Sequence, residues 1–241
     1  MILGVALVFV GNHAFTADQL RHAMVDPLRD PAAVVQANGE IDLDRDQLAR
    51  ATLWLSAFYW DRGYANVTIG DPQVTDTQVT IRVDEGPRFT ISSLAITGDS
   101  LGDRGGDRAI VKTRPKDVFS RSRIVADVAR LSDDYGDRGY AFASIIPITH
   151  VDLEHDTIAL ELEIIPGERA VIDDVEVHAS RPDDEAKIRR AIPIVVGQVY
   201  SHSELMDAKE RAAKLARSEI DVAIMHGTSE HGVKIVLEVR E

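Results

Sequence analysis

The sequence predicts an α+β fold of three tandem β-α-α-β-β modules, each a small three-stranded sheet covered by two helices. Three observations carry that prediction. The pentapeptide Asp-Arg-Gly-Tyr-Ala occurs at 61–65 and again at 137–141, an offset of 76 residues. Each copy is followed by a strand-like segment and then by a strand in strict apolar–polar alternation. A third stretch, at an offset of 81, repeats the helix that precedes the pentapeptide but not the pentapeptide itself. The modules run over residues 1–86, 87–167 and 168–241, the last being diverged.

The first module opens on Ile2–Val10, read as a strand. It lacks the basic start and small-residue cleavage site of a signal peptide, and falls short of the roughly 20 apolar residues that span a bilayer. Thr16 with Gln19, and Asp44 with Gln47, have capping-box spacing and start helices over Thr16–Met24 and Asp44–Arg62. Between them, Asp26–Asp42 reads as a loop. Leu48, Thr52, Leu55 and Tyr59 share one helix face, and Ile124, Val128, Leu131 and Tyr135 repeat it.

Gly63 and Gly139 then stop the helices in the left-handed region. Arg62 and Arg138 sit at the negative end of the helix dipole, and the Tyr-Ala pair forms a packed corner. The pentapeptide thus reads as a signature of the fold rather than an active site. Strands follow over Asn66–Val74 and Phe142–Val151, then the alternating sets Val79, Ile81, Val83 and Ile158, Leu160, Leu162, Ile164.

The second module opens on Phe89–Ser100, and the glycine-rich acidic stretch holding Asp99, Asp103 and Asp107 reads as a flexible linker. The third opens on Ala170–Asp184, has a third capping-box spacing at Ser201 and Glu204, and closes on Val233, Ile235, Leu237 and Val239.

Composition removes several functions. With 241 residues, 44% hydrophobic and 28% charged, the chain is long and apolar enough to fold as a globular protein. A formal charge of −13, with no run of Lys and Arg, argues against nucleic acid as a partner. The absence of cysteine removes disulfides, thiolate metal sites and cysteine nucleophiles. His150 and His155 lie near Asp152 and Asp156, but their spacing matches no ligand pattern and reads as a solvated turn. Gly-Asp-Arg-Gly-Gly-Asp at 102–107 puts acid where a phosphate loop needs Lys and Ser or Thr. No G-x-S-x-G elbow occurs. Neither an enzyme nor a cofactor is expected.

The order of elements, with Tyr59–Tyr64 and Val83–Pro87 in one copy and Tyr135–Tyr140 and Ile164–Glu168 in the next, resembles the POTRA domain. Such domains belong to the Omp85 superfamily of Gram-negative bacteria, including outer-membrane protein assembly factors of the BamA and TamA type. The resemblance covers essentially the whole chain. It implies a periplasmic scaffold, tethered to the outer membrane through a C-terminal membrane β-barrel of the parent chain. Unfolded outer-membrane protein precursors and accessory lipoproteins would be its partners. The sequence stops at Val-Arg-Glu where the first module has Val-Asp-Glu before Gly86, so a longer parent is expected. Two alternatives carry the same module: a two-partner-secretion transporter, typically with fewer units, and a divisome-type interaction protein, typically with one unit after a membrane helix.

Proline points to the exposed strand. Pro72 and Pro147 both fall in the first strand of a hairpin, and a residue without an N–H is tolerated at sheet edges and bulges. POTRA sheets are proposed to pair incoming strands at this edge, by β-augmentation. The candidate residues are Ser144, Ile145, Ile146, Ile148 and His150 in the second module, and Ala223, Ile224 and His226 in the third.

Overall fold

The structure, a computed structural model, describes residues 2–28 and 40–240. Its first sheet is built from β1 (Ile2–Val10), β2 (Glu40–Leu43), β3 (Thr68–Ile69), β4 (Gln73–Val74) and β5 (Gln78–Asp84), with α1 (Ala17–Val25) and α2 (Arg45–Trp60) between strands. Next come β6 (Thr90–Gly98), α3 (Arg104–Ile110), α4 (Arg121–Asp137), β7 (Ser144–Asp152) and β8 (Thr157–Ile165). The last set is β9 (Val171–His178), α5 (Pro182–Ala191), α6 (His202–Ala216), β10 (Ile220–His226) and β11 (Gly232–Val239). The sheets are ordered β2-β1-β5-β3 with β4 also on β5, then β6-β8-β7, then β10-β11-β9. In each, the alternating closing strand is central, flanked by the strand that opens the set and the one just before it. No described helix is long and apolar enough to cross a membrane.

Contacts divide the chain into two compact units. One comprises Met1–Leu94, Thr113–Val125 and Thr149–Leu160, the other Ala95–Lys112, Ala126–Ile148 and Glu161–Glu241. In the first, Leu7 of β1, Leu20 and Met24 of α1, Leu55 and Tyr59 of α2, and Val79 and Ile81 of β5 form the core. Phe15 meets Phe58, Tyr59 and Tyr64 edge to face, with centroids 4.9, 5.2 and 5.7 Å apart. Such pairs add about 0.5–1.5 kcal/mol each beyond burial. In the second, Ile172, Ile188, Leu205, Ala212, Val233 and Ile235 form the core. On β8, Ile158, Leu160, Leu162 and Ile164 are all buried, as period-two alternation requires.

The α+β class, and the three sheets and six helices among the described residues, match the expectation; local details differ. Glu40–Asp42, expected within a loop, lies in β2, which pairs antiparallel with β1, and Asp26–Leu28 forms a 3₁₀ turn. The rest of that loop, residues 29–39, lies outside the described residues. The Asn66–Val74 strand is split into β3 and β4, with Pro72 in the break, so the first sheet has five strands. Thr16 and Asp44 close their capping boxes in both directions. Ser201 accepts from the Glu204 amide at 3.4 Å, but the Glu204 carboxylate accepts from Gln198 at 2.8 Å instead of closing the box.

The expected linker around Asp103 is α3. Gly105 and Gly106 are poor helix formers, but Asp103 accepts from the Gly106 amide at 2.9 Å and caps the helix. Asp107, far from being solvated, is 1% exposed.

Candidate functional site

β7 and β10 are edge strands, each hydrogen-bonded to a central strand on one side only among the described residues. On β7, Ser144, Pro147 and His150 are exposed, Ile148 is half-buried and Ile146 is 39% exposed. Ile145 points into the core, so its side chain is unavailable to a partner. On β10, Ala223 is exposed and Ile224 packs partly against the core. His226 is exposed on one side and stacks on Phe142 with centroids 4.2 Å apart, which ties up one face of the ring. Met225, 52% exposed, is the apolar edge residue that sequence reading passed over.

An edge strand presents unpaired N–H and C=O groups, and Pro147 removes one donor from that row. His155 and Asp152 close the β7–β8 turn: the ring Nδ1 lies 2.8 Å from the carboxylate, which also accepts the Glu154 and His155 amides. Among the described residues no group of three or more His, Cys, Asp or Glu is placed to hold a metal.

The pentapeptide does more than stop a helix. In the first unit, Asp61 accepts from the Ser122 amide at 2.7 Å and the Ser120 hydroxyl at 3.2 Å, at the start of α4. The Gly63 carbonyl accepts the Phe89 amide at 2.8 Å. In the second unit the same joint recurs. Asp137 accepts from the Ser203 amide at 2.6 Å and the Ser201 hydroxyl at 3.1 Å, at the start of α6. The Gly139 carbonyl accepts the Ala170 amide at 2.8 Å. A carboxylate is thus set against a helix N-terminus, where the dipole and free amides favour it.

Both glycines have positive φ, +102° at Gly63 and +101° at Gly139. A Cβ at Gly63 would lie 2.8 Å from Arg88 Cγ, and one at Gly139 would lie 2.7 Å from Val199 Cγ1. The signal was in the sequence: Ser-x-Ser stands at 120–122 and 201–203, at the same offset of 81 as the helices.

Burial works against charge on Asp137, but hydrogen bonds from the Ser203 amide, the Ser203 hydroxyl and Ser201 outweigh it and hold the carboxyl below its ordinary value near 3.8. A depressed folded-state value means stability present above the unfolded value and lost as pH falls through the folded one. Protection of the Ser203 amide, read by hydrogen exchange, should therefore be full at pH 5 and fall as the solution is taken below about pH 3.8. In Asp137→Asn that acid-linked loss should vanish; an unchanged profile would separate the joint from this carboxylate.

Each pentapeptide also follows a buried tyrosine. Tyr59 donates to Glu85 at 2.9 Å, and Glu85 further accepts the His13 and Ala14 amides at 3.0 Å each. In the second repeat Pro166 occupies the place of Glu85, and Tyr135 donates instead to Asp107 of α3 at 3.1 Å. Arg138 stands 3.6 Å from Asp107 and stacks over Tyr135 at 3.9 Å from the ring centroid. Burial, opposed by the Tyr135 hydrogen bond and Arg138, keeps the Asp107 carboxyl above its ordinary value. Burial likewise raises Tyr59, and pushes Tyr135 up to about 12. The place of Asp107 is apolar in the other two repeats: Leu20 holds it in the first, where Tyr59 uses Glu85 instead, and Ile188 holds it in the third, where Ala216 replaces the tyrosine.

Comparison with known proteins gives the arrangement its relatives. The POTRA family, described as surface antigen variable number repeat, matches residues 6–86 and 89–167. The outer membrane protein assembly factor BamA of Nitratidesulfovibrio vulgaris is 24% identical over 208 residues, 83% of this chain and 26% of that protein. BamA of Neisseria meningitidis is 24% identical over 165 residues, 66% of this chain and 21% of that protein. The chain therefore spans about a quarter of the length of these relatives. Among solved structures, the Haemophilus influenzae BamA POTRA3-5 crystal structure superposes with a TM-score of 0.81 at 22% identity, covering 99% of this chain and 96% of that one. That likeness is one of fold.

Proposed function

Because this chain belongs to the POTRA family, we propose that it is the periplasmic receptor region of an outer-membrane β-barrel assembly factor. It receives unfolded outer-membrane protein precursors and docks accessory lipoproteins, and a membrane β-barrel of the parent chain tethers it. The units of this receptor are residues 1–86, 87–167 and 168–241. Similarity to two BamA proteins over most of the chain supports the assembly role.

The single observation that carries the binding mode is the open edge of β7, where a proline sits within a strand nine residues long. A backbone edge recognises an extended peptide without reading its sequence, which suits a receptor for many precursors. Successive amides of a strand point to opposite sides. A proline within a paired strand is tolerated where its missing N–H faces away from the neighbour, and by that rule Pro147 marks Ile145 and Thr149 as the outward donors beside it.

Thr149→Pro should weaken photo-crosslinking of an unfolded precursor peptide several-fold and leave the circular dichroism spectrum unchanged. Pro147→Val, which restores an outward donor, should strengthen it. Crosslinking that ignores both substitutions would remove this edge from the mechanism.

A further inference from the structure

The first unit carries a second surface with different chemistry. A groove of about 640 Å³ runs between α1 and α2, a size that suits a bound side chain with its flanking backbone. Trp54, Ala57 and Phe58 of α2 form its apolar wall. Trp54 is 45% exposed, and Leu53 beside it is 69% exposed. The fold does not ask for an aromatic residue here: the matching helical position holds Arg130 in the second repeat and Arg211 in the third. Phe58 is likewise replaced by Asp134 and Leu215.

The rim of the groove holds Asp18 and Asp26, with Asp61, already engaged by Ser120 and Ser122, and the guanidinium of Arg62 at its far end. That guanidinium is turned inward, 3.5 Å from the centroid of Phe58 and donating to the Phe58 carbonyl at 2.9 Å. The Asp18 and Asp26 side chains are 83% and 70% exposed, with Arg21 and His22 as their neighbours. The exposed His22–Asp26 pair is of a kind that contributes about 0–1 kcal/mol, and Arg21, 18% exposed and also donating to the Leu7 carbonyl, leaves most of the Asp18 carboxylate open.

We propose that this groove binds a cationic peptide segment of a partner protein. One bulky apolar side chain lies against Trp54 and Phe58, and flanking Lys or Arg residues face Asp18 and Asp26. Charge selects this occupant. A chain of net charge −13 repels acidic peptides, anionic lipid and further copies of itself, and draws cations toward an acidic rim. The indole face adds cation–π attraction for whichever flanking cation covers it. This site is separate from the sheet edges and does not depend on them.

The test uses the whole chain with Trp60→Phe, which leaves Trp54 as the one indole. The probe is a synthetic hexapeptide with a Leu-Phe pair between two Lys residues. Titration should give a saturable change in Trp54 fluorescence with Kd on the order of 10–100 µM, weakening as salt is raised. By calorimetry, Trp54→Ala and the double substitution Asp18→Asn with Asp26→Asn should each lower affinity about tenfold or more. Thr149→Pro should not change it, which keeps this result distinct from edge binding. Equal binding of the peptide with Glu in place of Lys overturns the proposal, as does unchanged binding to Trp54→Ala. A fluorescence change that follows protein concentration without peptide also overturns it, and assigns the groove to a second copy.

Discussion

Gly139→Val is expected to open the joint between α4 and α6 at a loss of about 3 kcal/mol. Valine is a poor occupant of φ +101°, and its Cβ would press into Val199 Cγ1 at 2.7 Å and Arg169 Cγ at 3.0 Å. Val199 is paired with Val171 at the start of β9 and Arg169 precedes Ala170, so yielding there strains the chain on both sides of the joint. For a chain of this length the melting temperature should fall by roughly 6–12 °C. Hydrogen exchange locates the damage: the Ala170 and Ser203 amides should lose protection while the Gly63 joint, with its Phe89 amide, keeps it. Gly139→Ala gives a milder version of the same pattern if valine prevents folding. Normal protection at Ala170 in either variant would show that the joint tolerates a side chain.

Tyr135→Phe should be nearly as costly, at about 3 kcal/mol. It deletes one hydroxyl and leaves the buried Asp107 carboxylate with Arg138 at 3.6 Å but without its 3.1 Å donor. The informative experiment is the cycle. Adding Asp107→Leu to Tyr135→Phe should recover most of the loss, because the third repeat already combines an apolar residue in that place, Ile188, with loss of the tyrosine at Ala216. The double variant should also lose a pH effect. The Asp107 carboxyl is raised in the folded state, so its protonated form is the better tolerated. Its contribution is full below the unfolded value near 3.8 and declines as pH rises through the folded value, a slope absent once leucine is there. Denaturant titrations at several pH values measure both. A double variant as unstable as Tyr135→Phe alone would mean that Asp107 has a role other than satisfying the tyrosine.

Legibility followed the range of the interactions. The alternation of Ile158, Leu160, Leu162 and Ile164 declares a half-buried strand within eight residues, and the structure buries all four. The glycine of the pentapeptide was readable because its conformation is local. Its aspartate was not, because the groups it binds are 59 and 61 residues away in the first joint, and 64 and 66 away in the second. Ser201 also looked already explained as a helix cap. For α3, the two glycines and three acids argued locally for a linker. Out of local reach was the hydroxyl of Tyr135, 28 residues on, which donates to the buried Asp107. The edge position of β7 was legible because Pro147 states a backbone requirement outright. The burial of Ile145 within that edge was not, since it depends on where the strand leaves the core.

The two joints have a consequence for descent and for engineering. Each is made of a tail on one repeat, Asp-x-Gly, and a receiver on the next, Ser-x-Ser, and the second repeat carries both. Its tail is therefore compatible with its own receiver. A duplicated copy of residues 87–167 placed after the original would find Asp137 facing the counterparts of Ser120 and Ser122, with no new residue to evolve. Duplication of such a segment would bring together a carboxylate and a Ser-x-Ser pair that already match. The first repeat lacks the receiver, having Asp44-Arg45-Asp46 at its second helix, and the third lacks the tail, having Ser218-Glu219-Ile220.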